Sequence, residues 1–370
     1  MTRKYEKVAA GEVTTAVSRV LGQFGPQTLD ALMTLVPTDD KMLFSVISDG
    51  IAAGRIERAG NRISLAGQDR SASVVRSECP CCGGRLAVGI DNVAPVKARY
   101  LEACAGAPVL TYLLNQRPVT RETSWHRALY MAMRGDLDGK KIVILGDDDL
   151  CSLAISLLAT NSEVLVLEAD ERLVGFLGDE ADKLKLTNFS VMEYDCREDI
   201  APHLQGTFDV ALCDPSSSLF EIFLSRCVTL LGEGGGRTIY TFAGPTYLQP
   251  NLDFQRLVTA MGLIVGEMIP AFNRYALVES EFVEGQRDLL NEVGGAERIS
   301  FVESLVRLET CATTVAAIKG RHSASAENLY GERAFRRLQN LASDPASLVE
   351  PRETWHRLME KFGPSDRLNT

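Results

Sequence analysis

The chain has 370 residues, 45% of them hydrophobic and 24% charged, with a formal net charge of −10. These are the proportions of a soluble globular protein with room for two or three domains, and they exclude a chain built from membrane spans, since no apolar run reaches the roughly 18 to 20 residues that cross a bilayer. The acidic balance argues against broad binding to nucleic-acid phosphates, which draws on clustered Lys and Arg, and suits small polycations instead.

The opening segment MTRKYEKVAAGEV lacks the apolar stretch of a secretory signal. Most of the nine cysteines, Cys151, Cys213 and Cys227 among them, lie in apolar segments as buried reduced thiols do. Both features predict a cytoplasmic protein without a membrane partner.

In chain order, residues 8–67 alternate helical apolar spacing with short polar breaks: VTTAVSRVLGQF, TLDALMTLV and DDKMLFSVISDGIAAGRI. IERAGNRISLAG then reads as two short strands around a Gly-Asn turn. Three helices and a hairpin outline a small winged-helix-like domain over residues 1–70. Such a domain binds DNA or serves as an interaction or dimerisation module. The third helical segment carries only Lys41 and Arg55 against Asp39, Asp40 and Asp49, which favours the module and makes nucleic acid an unlikely partner.

Residues 71–138 form an expected linker. Within SECPCCGGR, Cys79 and Cys82 match half of a zinc-ribbon knuckle. Tetrahedral zinc needs four ligands and no second pair follows, so little or no zinc is expected, with Cys79 and Cys82 the weak candidates. The linker ends in a helical segment, TRETSWHRALYMAMRGDLDGK, where His126 beside Trp125 reads as structural.

From Lys141 the pattern alternates apolar strands and amphipathic helices: KIVILG, LCSLAISLLAT, EVLVLEAD, ERLVGFLGDEADKL, NFSVMEYD, TFDVALCDP, a helix, GGGRTIYTFAG, a helix and GLIVGEMIPAF. The fold class is therefore α/β, with a doubly wound, Rossmann-like (class I methyltransferase-like) domain over residues 139–319 that binds ligands at the carboxyl ends of its strands. ERISFVESLVRLETC reads as a closing strand or helix, and residues 320–370 as a helical tail used for packing or for forming a homodimer.

Four strand ends carry acids. Gly146 leads into Asp147, Asp148 and Asp149; the next ends supply Glu168 and Asp170, then Asp195, then Asp214 followed by Pro215. Adjacent carboxylates repel, so a cluster at a strand end predicts something positive facing it. An acid about 20 residues beyond the first strand is where ribose hydroxyls are held in such sheets, a role that fits Glu168 or Asp170. Asp195 suits an adenine amine. Three negative charges after a single glycine would repel a pyrophosphate, which rules against NAD and ATP. An adenosyl sulfonium, S-adenosylmethionine or a relative, fits as a co-substrate, with no permanently bound cofactor. The competing account is that Asp147 or Asp149 caps the following helix.

Through NQRPVTRETSWHRALYMAMRGDLDGKKIVILGDDDL, LEADERLVGFL, YDCREDI, FDVALCDP, AFNRY and ESLVRLE, the sequence resembles the branched-chain polyamine synthases. The resemblance implies transfer of aminopropyl groups from decarboxylated S-adenosylmethionine to an amine such as spermidine, releasing methylthioadenosine. It implies Asp149 or Asp148 as the base, Asp214 as an anchor at the catalytic centre, and Gly146, Asp147, Glu168, Asp170, Asp195, Pro215, Gln116, Asn273 and Tyr275 as donor- or substrate-binding residues. The chain departs from the family's Asp-Pro-Pro-Glu motif: Ser216 and Ser217 follow Pro215, and Glu221 lies a helical turn further on. Asn115 and Gln116 stand where the family has Asp-Gln. The departures leave open the acceptor and the number of transfers. Two other functions compete: methyl transfer from S-adenosylmethionine itself, and a DNA-binding regulator whose degenerate domain senses a polyamine or nucleoside.

Overall fold

The computed structural model describes residues 2–36, 38–67, 93–109, 114, 116–117, 119–232, 234–244, 248–276 and 299–323. Cys79, Cys82, Asn115 and the predicted tail helices lie outside them. The chain forms two compact units that are not contiguous in sequence. The described residues within 243–253 and 269–305 belong with the N-terminal unit, and the described residues within 87–242, 254–268 and 306–323 make the other.

The N-terminal unit begins with α1 (Thr2–Phe24), α2 (Leu29–Leu35) and α3 (Asp40–Ala52), followed by β1 (Ile56–Ala59) and β2 (Arg62–Leu65). The polar breaks between helices supply caps: Thr28 accepts from the Ala31 amide at 3.3 Å and Asp39 from the Met42 amide at 2.8 Å. Ala59 pairs with Arg62 across the Gly-Asn turn, whose Gly60 adopts φ +60°, as a tight two-residue hairpin requires. Gln27 adds a short third pairing, exchanging backbone hydrogen bonds with Ile63 at 2.9 and 2.8 Å. All five elements close on one apolar core, including Val17, Leu21, Leu32, Leu43, Phe44, Ile47 and Ile63.

The second unit holds β3 (Lys141–Leu145), β4 (Glu163–Glu168), β5 (Phe189–Glu193), β6 (Val210–Cys213) and most of β7 (Thr238–Ala243), while β8 (Ile264–Ala276) and β9 (Ile299–Glu309) are divided between the two units. The order is β5-β4-β3-β6-β7-β9-β8. Pairings β3–β4, β4–β5, β3–β6 and β6–β7 are parallel. Strands buried on both faces read as continuous apolar runs, and Ile142 to Leu145 and Val210 to Cys213 are buried without interruption. The segment open between strand and helix is β9.

Helices α4 (Ala94–Cys104), α5 (Arg121–Met133), α6 (Cys151–Leu158), α7 (Glu171–Leu184), α8 (Phe220–Leu231) and α9 (Leu248–Ala260) complete the secondary structure. This is a Rossmann-like, methyltransferase-like α/β fold with a mainly parallel central sheet, as expected. The strand order reverses at β3, which has β4 on one side and β6 on the other, so a crevice opens at their carboxyl ends. Among the described residues no helix is long and apolar enough to cross a membrane. The described cysteines are all free, and Cys104, Cys151, Cys196, Cys213 and Cys227 are buried.

One backbone crossing leaves no room for a side chain. Gly232, just after α8, has φ +78°, and a Cβ there would lie 2.6 Å from the Gly206 Cα. Gly232→Ala therefore strains both the dihedral and the contact, and urea unfolding should show a loss of about 1 to 3 kcal/mol.

Candidate active site

The loop after β3 turns its three carboxylates in different directions. Leu150, fully buried, takes a left-handed conformation at φ +58° immediately before α6, and its amide donates to the Asp147 carbonyl at 3.0 Å. Asp147 points at the start of α6. It accepts from the Ser152 amide at 3.2 Å and from the Ser152 hydroxyl, so of the two residues proposed as caps it is Asp147 that does so. Burial pushes its pKa up to about 8, against the lowering effect of Ser152, with Asp149 and Glu168 adding repulsion.

Asp149 points the other way, into α5. Arg127 donates to its Oδ2 at 2.5 Å and, through the other terminal nitrogen, to Asp214 at the end of β6. The Val119 amide approaches Asp149 Oδ1 at 3.4 Å. The Asp149 carbonyl accepts from the Ser124 hydroxyl at 2.8 Å and from Arg121 at 3.2 Å. Arg127 is 1% exposed, with its guanidinium 3.7 Å from the centroid of the Phe242 ring. The positive group that faces this end of the cluster is thus the chain's own arginine rather than a ligand.

Asp148 is half-buried, and no hydrogen bond or ion pair to it is found among the described residues. Its pKa is raised well above the usual carboxylate range by removal from water, and further by the charges of Asp149, Glu168, Asp214 and Asp147.

The remaining strand-end acids are also engaged. Glu168 accepts the Asp147 and Asp170 amides, each at 2.8 Å, and ties the ends of β3 and β4 together; burial raises its pKa despite these bonds. Asp170, fully buried, pairs with Arg172 at 2.6 Å, caps α7 through the Arg172 amide at 3.1 Å, and accepts from Gln116 at 3.2 Å. Asp195 pairs with Arg197 at 2.5 Å. Pro215 is buried, Ser216 half-buried and Ser217 exposed. Gly146 takes φ +74° and donates its amide to Leu167 at 2.8 Å.

Asp147 to Asp149, Glu168, Asp170, Asp214 and Gln116 therefore share one connected neighbourhood. Asn273 and Tyr275 belong to the other unit. There the buried Asn273 contacts the Tyr275 hydroxyl at 3.4 Å, while Tyr275 donates to Glu303 at 2.9 Å and stacks on Phe301. His126 holds the Glu122 carbonyl at 2.6 Å through Nδ1, a helix-internal contact in keeping with a structural role. Arg127 was not among the expected site residues. Ser124, Arg127, Ala128 and Met131 recur at helical spacing on one face of α5, and an arginine in such a stripe signals a buried partner. The two Asp-x-Arg pairs, Asp170 with Arg172 and Asp195 with Arg197, were likewise readable.

The family model described as Branched-chain polyamine synthase A C-terminal domain matches residues 96–334. The chain belongs to the branched-chain polyamine synthase family. The N(4)-bis(aminopropyl)spermidine synthase of Methanocaldococcus jannaschii is 30% identical over 206 residues, 54% of this chain and 58% of that one. The enzyme of the same name from Thermococcus kodakarensis is 31% identical over 204 residues, 53% and 57% of the respective chains. The matches thus span under two thirds of the length of these curated relatives. The branched-chain polyamine synthase of Thermus thermophilus, solved in complex with N4-aminopropylspermidine and 5'-methylthioadenosine, superposes with a TM-score of 0.67 at 24% identity, covering 86% of this chain and 90% of that one. This likeness establishes the shared fold.

In this member of the family, Asp148 keeps its proton above the pH near 3.9 at which an unfolded aspartate releases it. The folded chain then binds more protons across that window, and stability falls as pH rises through it. Asp148→Asn cannot titrate. Calorimetry should find its Tm equal to that of the unsubstituted protein near pH 4 and higher at pH 8, by roughly 2 to 4 °C for each kcal/mol relieved.

Proposed function

We propose that the chain transfers an aminopropyl group from decarboxylated S-adenosylmethionine to an amine of the spermidine class. The observation that carries this reading is Asp148, a half-buried carboxylate with raised proton affinity and no hydrogen bond or ion pair among the described residues, at the point where the strand order reverses. Family membership and the names of the relatives support it.

The donor brings a positive sulfonium and a cationic amine, and the acceptor brings further ammonium groups. Positive charge beside Asp148 favours its ionised form, returning a protonated acid to the carboxylate that a base must be. The acceptor nitrogen, once neutral, attacks the carbon next to sulfur. The C–S bond breaks, its electron pair stays on sulfur as the neutral thioether of methylthioadenosine, and the nitrogen's proton passes to Asp148. A base whose proton affinity has been raised by burial and by neighbouring acids takes that proton at lower cost than an ordinary aspartate.

Asp149 and Asp214 are engaged by Arg127, which favours Asp148 of the two residues considered for this role. Glu168, Asp170 and Gln116, the residues expected at the donor's ribose, and Asp195, expected at its adenine, are engaged by the chain's own amides and arginines, so their part in donor binding is to shape the wall it meets. The Ser216–Ser217 departure supplies hydroxyls in place of an acid, so the acceptor is held by fewer charges than a fully acidic loop would offer. The free, mostly buried thiols among the described residues suit a cytoplasmic setting.

A second reading, methyl transfer from S-adenosylmethionine, draws on Arg121. This half-buried cation beside Asp149 could receive the carboxylate that the decarboxylated donor lacks. The N-terminal unit we read as a winged-helix module rather than a DNA reader. The exposed residues of α3 include Lys41, Ser45, Ser48 and Asp49, too little positive charge to match phosphates.

Incubating the protein with decarboxylated S-adenosylmethionine and a panel of amines should yield methylthioadenosine and an aminopropylated product by mass spectrometry. No product with any amine, together with calorimetric preference for the carboxylated donor, would transfer the assignment to methyl transfer. Asp148→Asn should reduce turnover by about 100- to 10,000-fold while the protein stays folded by circular dichroism; unchanged turnover would remove Asp148 from the mechanism.

A further inference from the structure

We propose that Arg127 is the positioning residue of this site: by holding Asp149 and Asp214 on one guanidinium, it leaves Asp148 as the carboxylate of the loop that meets the reacting amine. The inference rests on the aminopropyl-transfer reading, and it concerns how the site is organised rather than which group is moved.

Arg127 is 1% exposed and reaches the ends of β3 and β6 together. Its terminal nitrogens are divided between Asp149 and Asp214, with Cys151 Sγ 3.8 Å from Nη1 and Phe242 against the guanidinium plane. A lysine presents one compact charge and cannot span two carboxylates in this way. Asp147 is held by Ser152 on the opposite side of the loop. Of three consecutive acids, two are therefore fixed by different partners, one by α5 and one by α6, and the middle one, half-buried, has no hydrogen bond or ion pair among the described residues.

Charge follows the same geometry. Asp148 is faced by Asp147 and Asp149 from its own loop, Glu168 from the end of β4 and Asp214 from the end of β6. α5 contributes the cations Arg127 and Arg121. Removing Arg127 withdraws positive charge and leaves two acids uncompensated. Both changes make Asp148 hold its proton to higher pH. An arriving amine would also find Asp149 and Asp214 available and bind to them, away from the transfer geometry.

Arg127→Lys and Arg127→Met are compared with the unsubstituted protein. Turnover should fall about 100-fold in Arg127→Met, because misplacement by an ångström is enough for that, and by a smaller factor in Arg127→Lys. KM for the amine should be unchanged or lower, and the acid limb of the kcat profile should move to higher pH in the order Lys, then Met. A role limited to holding the fold would lower activity without moving that limb, and would overturn the proposal.

Carbon-13 NMR of labelled aspartate carboxyls gives the Asp148 titration directly, with Asp148→Asn identifying the signal. This needs no turnover, so it tests Arg127 even if the protein moves no aminopropyl group. The midpoint should rise in both variants, and an unchanged midpoint would overturn the inference. If Arg127→Met does not fold, Arg127→Lys and the triple change Arg127→Met, Asp149→Asn, Asp214→Asn, which removes all three charges together, carry the comparison. In the triple variant the Asp148 midpoint should fall back below that of Arg127→Lys, since two of the acids that repel it are gone.

Discussion

A guanidinium buried between two carboxylates at the point where the strand order of a parallel sheet reverses is an expensive arrangement to build. Each ion loses its hydration, and only close, well-directed contacts recover that cost. Arg127 meets the condition with two carboxylates and an aromatic face. Breaking such a group by removing one member typically costs 3 to 5 kcal/mol, because the remaining charge is stranded. The rest of the crevice depends on it. The ends of β3 and β6 carry acids that would repel one another without the arginine, and the first turns of α5 are fastened to the β3 loop through Ser124, Arg121 and Arg127 together.

Much of the fold was legible because burial on both faces of a strand writes a continuous apolar run, and KIVIL and VALC are such runs. The N-terminal helices were legible from Thr28 and Asp39, residue types that favour helix starts. The position of the acids was legible too, since strand ends follow from strands. What was hidden was the pairing. Arg127 lies 22 residues from Asp149 and 87 from Asp214, and no local pattern links them.

The nearer pairs were a different matter. Asp170 with Arg172 and Asp195 with Arg197 stand two residues apart, each at a strand end. A count of acids alone suggests a strongly negative crevice waiting for a cation. With each Asp-x-Arg pair taken as a unit, the negative charge shrinks to Asp147, Asp148, Glu168 and the one charge left over where Arg127 joins Asp149 and Asp214, and Asp147 and Glu168 are occupied with backbone amides. The engaged acids shape the walls, and Asp148 is the carboxylate of the loop without a hydrogen bond or ion pair among the described residues.

Leu150 gives the loop its sharp change of direction by adopting a conformation that side-chain-bearing residues avoid, at a cost of about 1 to 2 kcal/mol. A glycine would adopt it without that penalty, but would also let the segment wander before any ligand arrives. With a buried leucine locked there, the turn is assembled when the protein folds rather than when a donor docks. Association at this end of the crevice should therefore be a matter of fitting into a ready mould, with little ordering of the loop left for the small molecule to drive.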